Sequence, residues 1–180
     1  MKNTLLRIRR TPVNPMEFFQ KTLDALQAHI AILDDSGTII AVNATWNRFA
    51  SANDLEAESC GPGANYLKVC DEAYGDGSEE ARIVAARIRQ MTTGEWPGFY
   101  LEYPCHSPSA QRWFGLRITR FETDRSVRVV VAHDDITARK LAERALQSDI
   151  ARRVAPGHAR DRSRTPTGLF HDLPGWALVP

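Results

Sequence analysis

The chain has 180 residues, of which 43% are hydrophobic and 25% are charged, and its formal net charge at pH 7 is +1. This length is sufficient for one domain with a hydrophobic core plus flanking segments, and the near-average composition excludes a chain that is disordered throughout. The near-zero charge gives no support to a general nucleic-acid binder or a membrane-surface protein.

Cysteine usage and targeting signals indicate the compartment. The three cysteines, Cys60, Cys70 and Cys105, are odd in number and widely spaced, which argues against a disulfide framework or a zinc knuckle. The basic N-terminal segment lacks the apolar core of a secretory signal, and no stretch approaches the ~18 consecutive apolar residues of a membrane span. We therefore expect a cytoplasmic protein without a membrane span.

A helix and a hairpin are the first predicted elements. Asn14 and Pro15 are typical of a helix start, and apolar residues then recur at three- to four-residue intervals to about His29. Residues 30–33 and 38–42 are short apolar segments separated by the turn-forming sequence DDSG. This pattern predicts a β-hairpin.

The middle of the chain is predicted to be helical. Asn43 is placed to cap a short helix over 44–50, residues 51–64 are expected to form a loop, and 65–73 suit another short helix. A longer helix begins at Ser78 with acidic residues in its first turn. Its predicted apolar stripe has four members: Ile83, Val84, Ile88 and Met91.

Three further strands and a final helix complete the predicted order. Alternating or apolar segments at 99–103, 112–121 and 127–132 predict strands, and their short polar connections suit antiparallel neighbours. The helix after residue 137 follows the last strand directly. The fold class expected is therefore α+β: a five-stranded antiparallel sheet with a helical middle segment, an N-terminal helix and a C-terminal helix.

Three segments, taken in order, resemble a known family. They are LDDSGTIIAVNATWNRFA (33–50), YLEYPCHSPSAQRWFGLRITRF (100–121), and DDIT followed by ARKLAERAL (134–146). Over roughly residues 18–146 the chain resembles the PAS domain with its PAC motif, a sensory α+β module of bacterial signalling proteins. In that family the module commonly precedes histidine kinases of two-component systems, cyclic-dinucleotide enzymes or DNA-binding output domains.

The resemblance implies a division of the chain. We expect a flexible leader over 1–13, a PAS-like sensor domain with its N-terminal helix over 14–136, a signalling helix over 137–152, and a disordered basic tail over 153–180. The tail is rich in Arg, Pro and Gly and does not continue the helical pattern. Such a tail suggests a truncated product or a free-standing module.

The last strand and the helix after it are the expected route of the signal. Asp135 is placed to end the strand, and Thr137 is a suitable N-cap for the helix. Leu141 and Ala145 fall on one broad apolar side of that helix, which can pair with its copy in a parallel dimer. The resemblance implies that signals leave the domain through this helix, so we expect a homodimer joined through terminal helices and a separate output protein or domain.

A ligand in a PAS fold lies between the sheet and the middle helices, and a filled core without ligand is an equal alternative. No cofactor is supported: the photoreactive flavin motif is absent at NYLKVC (65–70), and 54–94 contains no histidine for haem. His133 is expected to line a pocket or to lie at the sheet edge, and a lone histidine is more often a structural residue than a ligand. Seven residues are expected to line the pocket: Trp46, Phe49, Tyr66, Ile88, Leu101, Phe114 and Leu116.

No catalytic or metal-binding constellation is apparent. Cys105 and His106 are neighbours on an extended segment, so their side chains point to opposite faces and do not form a nucleophile–base pair. The predicted function is therefore a sensory and interaction module that relays a signal through its C-terminal helix to a kinase, cyclase or transcriptional output. The alternatives are a small-molecule or chromophore sensor and a pure dimerisation adaptor without ligand.

Overall fold

The order of elements follows the sequence pattern closely. The computed structural model describes residues 14–75, 78–94, 96–106, 110–123 and 126–154; the predicted leader and all but the first two residues of the predicted tail lie outside these ranges. The helices are α1 (Pro15–Asp24), α2 (Ala44–Ala52), α3 (Ala57–Cys60), α4 (Tyr66–Asp71), α5 (Ser78–Thr92) and α6 (Thr137–Val154). The strands are β1 (His29–Leu33), β2 (Ile39–Val42), β3 (Gly98–Pro104), β4 (Trp113–Thr123) and β5 (Ser126–Asp135).

The five strands form one antiparallel sheet in the order β2-β1-β5-β4-β3. The predicted fold class is confirmed. The last strand, β5, therefore lies in the centre of the sheet, with Val131 opposite both Ala31 of β1 and Ile118 of β4. The strand that leads into α6 is thus the middle one of the five, with two strands on each side.

The sheet buries its two faces unequally. Its inner face packs against α2, α4 and α5 and forms the main core, in which Val129 and Val131 of β5 are fully buried. Its outer face carries a smaller cluster, where Leu23 of α1 packs on Ile30 and Ile32. The period-two alternation along β5 thus separates the residues of the main core from the outer ones.

The first hairpin is built by its aspartate and glycine. One carboxylate oxygen of Asp34 accepts hydrogen bonds from the backbone N–H groups of Ser36 and Thr38, each at 2.9 Å. Gly37 has φ of +81°, a conformation that side chains disfavour. A Cβ at Gly37 would also lie 2.5 Å from Leu67. The hairpin predicted from DDSG is confirmed.

Three details differ from the sequence expectations. Helix α1 ends at Asp24 instead of His29. The carbonyl groups of Leu23 and Ala28 accept hydrogen bonds from the side-chain nitrogen of Asn43 instead of continuing the helical pattern. The predicted loop 51–64 contains the short helix α3. The long strands extend beyond their predicted bounds.

The apolar stripe of α5 is displaced from the prediction. Ile83 is 41% exposed, whereas Ala81 and Ala85 are fully buried beside Val84 and Ile88. The small alanines allow the helix to approach the sheet closely, so the stripe follows them rather than the larger Ile83. None of the described helices combines the length and the apolar character needed to cross a membrane.

Candidate functional site

The junction between β5 and α6 is fixed to the first residue of β4. The backbone N–H of Trp113 donates to the hydroxyl of Thr137 at 3.1 Å, and the backbone N–H of Ile136 donates to the carbonyl of Trp113 at 2.9 Å. Both backbone groups of Trp113 therefore hold the two residues at the start of α6. We call these contacts the hinge.

The predicted capping role of Thr137 is wrong. Its hydroxyl accepts from the neighbouring strand, and the carboxylate of Asp135 instead accepts from the Thr137 N–H at 2.9 Å. The first helical hydrogen bond runs from the Lys140 N–H to the Ile136 carbonyl at 2.9 Å. The capping side chain is therefore that of Asp135, two positions earlier, because Trp113 at the start of β4 engages the hydroxyl of Thr137.

A carboxylate on the edge strand β3 contacts the first turn of α6. Glu102 is 2.6 Å from a guanidinium nitrogen of Arg139 and 2.5 Å from the ammonium of Lys140, and it also accepts from the hydroxyl of Tyr100 at 2.8 Å. Hydrogen bonds from Lys140, Arg139 and Tyr100 lower the pKa of Glu102 from 4.5 to about 2. Sequence analysis missed this cluster because Glu102 and Arg139 are 37 positions apart.

The remainder of α6 presents apolar side chains to solvent. Leu141, Leu146 and Ile150 are 49%, 63% and 53% exposed, and Ala145 is exposed as well. Among the described residues nothing covers this side of the helix. Leu141 and Ala145, predicted to take part in signal coupling, are therefore available to a partner.

All seven residues predicted to line a pocket are brought together in the main core. Trp46, Tyr66, Ile88 and Leu116 are almost fully buried, and the indole N–H of Trp46 donates to the carbonyl of Cys60 at 2.8 Å. Phe114 is buried beside them, and Phe49 and Leu101 are partly buried against the same cluster. Their role in binding a ligand stays a prediction.

A polar network that sequence analysis missed lies within this apolar cluster. The hydroxyl of Tyr103 is 2.6 Å from Nδ1 of His133, and the hydroxyl of Tyr66 is 3.3 Å from its Nε2. His133 is 1% exposed, and its backbone carbonyl is 3.1 Å from Nδ1 of His29. The network thus connects α4, β3, β5 and β1. The available signal was the position of His133 on the same face of β5 as Val129 and Val131.

The network is suited to a neutral imidazole. Burial, with a smaller contribution from His29, lowers the pKa of His133 from 6.5 to about 3. Burial also raises the pKa of Tyr66 and of Tyr103 well above 10. A neutral ring has one donor and one acceptor nitrogen, so it donates to one tyrosine and accepts from the other. A protonated ring would need both tyrosines as acceptors and would leave its charge buried.

The cysteines are not activated as nucleophiles. Burial raises the pKa of Cys70 to about 12 and that of Cys105 to about 11, the opposite of what a reactive thiolate needs. His106 accepts from the backbone N–H of Arg112 at 3.1 Å through Nδ1. Within the described residues, no group of three or more His, Cys, Asp or Glu is placed to hold a metal ion.

A curated relative matches most of the domain. No protein-family model matches the sequence. The chain is 38% identical over 130 residues to an uncharacterized 104.1 kDa protein in the hypE 3′ region of Rhodobacter capsulatus. That match covers 71% of this chain and 13% of the relative, so the chain spans only a small part of that protein.

One solved structure in particular shows the fold. The PAS domain of BvgS from Bordetella pertussis has a TM-score of 0.51 and 15% identity, covering 77% of this chain and 98% of that domain. The PAS domain of the fruit-fly ELK potassium channel has a TM-score of 0.48 and 13% identity, covering 69% of this chain and 99% of that domain. The first similarity and the strand order agree on one conclusion: the described chain has the fold of a PAS domain.

Proposed function

We propose that the chain is a sensory and interaction module of signal transduction that relays changes in its core through α6 to an output protein or domain. The observation that carries this proposal is the hinge, through which the central strand β5 enters an exposed helix while bound to β4. A module of this kind works through a partner rather than through chemistry of its own. The match to 13% of a 104.1 kDa relative is compatible with that role.

The His133 network is the proposed origin of the relay. His133 lies two residues before Asp135, and its two tyrosine partners belong to β3 and α4. A change in the packing of either partner alters the position of β5 close to the hinge. Because a packed core is not continuously deformable, such a change is passed on to Asp135 and Thr137 rather than absorbed locally.

Removing one hydroxyl from the network tests the relay. We expect Tyr103→Phe to increase amide hydrogen exchange in the first turn of α6 about fivefold, since a lost hydrogen bond of about 1 kcal/mol changes a local opening equilibrium by that factor. Tyr74→Phe is the matched control, because Tyr74 is 77% exposed. The relay is refuted when exchange changes around His133 but stays at the wild-type rate in α6.

A parallel dimer is the proposed working state. The exposed apolar side of α6 suits pairing with its copy, and α1 adds the exposed Met16 and Phe18. We expect native mass spectrometry of the intact protein at low micromolar concentration to give a dimer, and Leu146→Asp combined with Ile150→Asp to give a monomer that is still folded by circular dichroism. Both residues are more than half exposed, so the folded monomer tolerates the charges.

The control for the dimer is a charge at a comparable apolar surface position elsewhere. Ile83→Asp on α5 is expected to leave the dimer intact, because Ile83 is also exposed but lies outside the terminal helices. A wild-type monomer, or a dimer that persists with both α6 substitutions, contradicts the proposed interface.

A ligand-binding sensor is the second candidate, favoured by the hydrogen-bonding network inside the predicted pocket lining. Binding sites are mostly apolar with a few fixed polar groups, and the network formed by Tyr66, His133 and Tyr103 fits that description. The same mass spectrum reports any bound small molecule as excess mass, and an absorption spectrum reports a chromophore. A pure dimerisation adaptor would show neither excess mass nor chromophore absorption, and removal of residues 137–155 should leave it a folded monomer.

A further inference from the structure

We propose that Glu102 is a positioning residue whose ion pairs hold α6 against β3, and that α6 pivots about the hinge when these ion pairs open. We call the contacts of Glu102 with Arg139 and Lys140 the latch. The latch and the hinge lie on the same first turn but reach different strands, β3 and β4. The inference deepens the proposed relay, on which its functional meaning rests.

Few contacts constrain α6 beyond its first two turns. The guanidinium of Arg144 lies 4.4 Å above the ring of Trp113. Farther along, the described ion pairs of α6 are internal and join Asp149 to Arg152 and Arg153. The direction of the helix is therefore set at its root, by the hinge, the latch and the contact of Arg144.

The space beside the latch permits movement. A cleft of about 310 Å³ separates the first half of α6 from the ends of β3 and β4. Its lining consists of Glu102, Pro104, Trp113, Lys140, Glu143, Arg144 and Gln147. Rotation of α6 about the hinge towards or away from β3 would close or widen this cleft without disturbing the main core.

The cations of the latch already have a second partner. A carboxylate oxygen of Glu143 is 2.9 Å from Arg139 and the other is 3.8 Å from Lys140. These pairs lie at the i,i+4 and i,i+3 spacings that stabilise a helix. When Glu102 is released, both cations remain paired within α6, so the open arrangement avoids isolated charges. The latch therefore has two accessible states.

Ionic strength, rather than pH, is the condition that opens the latch. The pKa of about 2 keeps Glu102 ionised throughout the neutral and mildly acidic range. Its pairs with Arg139 and Lys140 are partly exposed, and such pairs are screened when the Debye length falls from ~10 Å at 0.1 M to ~3 Å at 1 M salt. Isolated surface ion pairs contribute little to global stability, so the fold survives opening.

Pulsed electron–electron resonance between two spin labels tests the proposal. Thr119→Cys on β4 and Ser148→Cys on α6 are exposed attachment sites, whereas the three native cysteines are buried. Labelled chains are diluted with unlabelled chains so that the distance is measured within one protomer. Ser148 lies about 16 Å along the helix from Thr137 at 1.5 Å per residue, so a pivot of about 20° moves it roughly 5 Å.

The expected result is a shift or broadening of roughly 5 Å in Glu102→Gln at 0.1 M salt, and a similar change in the wild-type sequence at 1 M salt. Glu122→Gln is the matched control: Glu122 pairs with Arg120 at the far end of β4 and does not contact α6. It is expected to give the wild-type distance. The melting temperatures of all three proteins should agree within about 2 °C.

Two outcomes separate the latch from the relay. A Glu102→Gln distribution identical to that of the wild type at both salt concentrations overturns the latch. A shifted distribution supports it even when the hydrogen-exchange test with Tyr103→Phe fails, because helix position and communication from the core are then measured independently.

Discussion

Replacing Asn43 by aspartate is expected to lower the free energy of unfolding by about 3–5 kcal/mol, the usual cost of a buried charge without a partner. Asn43 is fully buried. Its side-chain nitrogen donates to the carbonyl of Ala28 at 2.8 Å and to those of Leu23 and Leu26 at 3.3 Å each. Aspartate removes the donor and places a carboxylate against three carbonyl oxygens.

The substitution is informative because it leaves the other half of the side chain intact. The oxygen of Asn43 accepts from the N–H of Trp46 at 2.9 Å and from the N–H of Ile30 at 3.1 Å, and aspartate retains both acceptors. The loss therefore arises on the donor side, where the missing N–H groups and the new buried charge disrupt the connection between the end of α1 and the start of α2.

Chemical denaturation measures this effect, with Asn14→Asp as the matched control. Asn14 also caps a helix, accepting from the N–H of Met16 at 3.0 Å, but it is exposed. Aspartate is as good a cap as asparagine, so this control should change the free energy of unfolding by less than ~0.5 kcal/mol. Equal losses at the two positions would show that the buried donor contributes nothing.

Asn43 also illustrates what the sequence could and could not predict. Its position before an apolar helical segment predicted the cap, and the cap is confirmed. Its bonds to β1 and to the end of α1 were not predictable, since those partners lie 13 to 20 positions away and no local pattern relates them. Because the bonds of Asn43 to the end of α1 could not be predicted, the sequence pattern placed the end of that helix at His29, five residues too late.

Local pattern was sufficient for the fold because each element carries its own periodicity and capping residues. It was insufficient for the candidate site because contacts there join distant elements. His133 lies 30 positions from Tyr103 and 67 from Tyr66. Thr137 was assigned the role of a cap on local grounds, whereas its hydroxyl bonds to a strand 24 positions earlier. Such contacts become predictable only once the strand order is known.

Acid is expected to destabilise the fold through His133. Its pKa is about 3 in the folded chain and close to 6.5 when unfolded. Between these values the unfolded chain binds a proton that the folded chain does not, so the contribution of His133 is complete above pH 6.5, decreases as the pH falls from 6.5 to 3, and is lost below pH 3. The expected loss from pH 7 to pH 5 is about 2 kcal/mol, out of roughly 5 kcal/mol in total.

Urea denaturation of the wild type and of His133→Gln at pH 7 and pH 5 isolates this contribution. Glutamine can donate to one tyrosine and accept from the other but does not titrate, so the variant should lose about 2 kcal/mol less between the two pH values. Its stability at pH 7 gives the packing cost separately. His29, whose pKa burial also lowers, is present in both proteins and cancels in the comparison. If the wild type and His133→Gln lost the same free energy of unfolding between pH 7 and pH 5, His133 would be protonated within the folded chain. The buried network would then tolerate a charge.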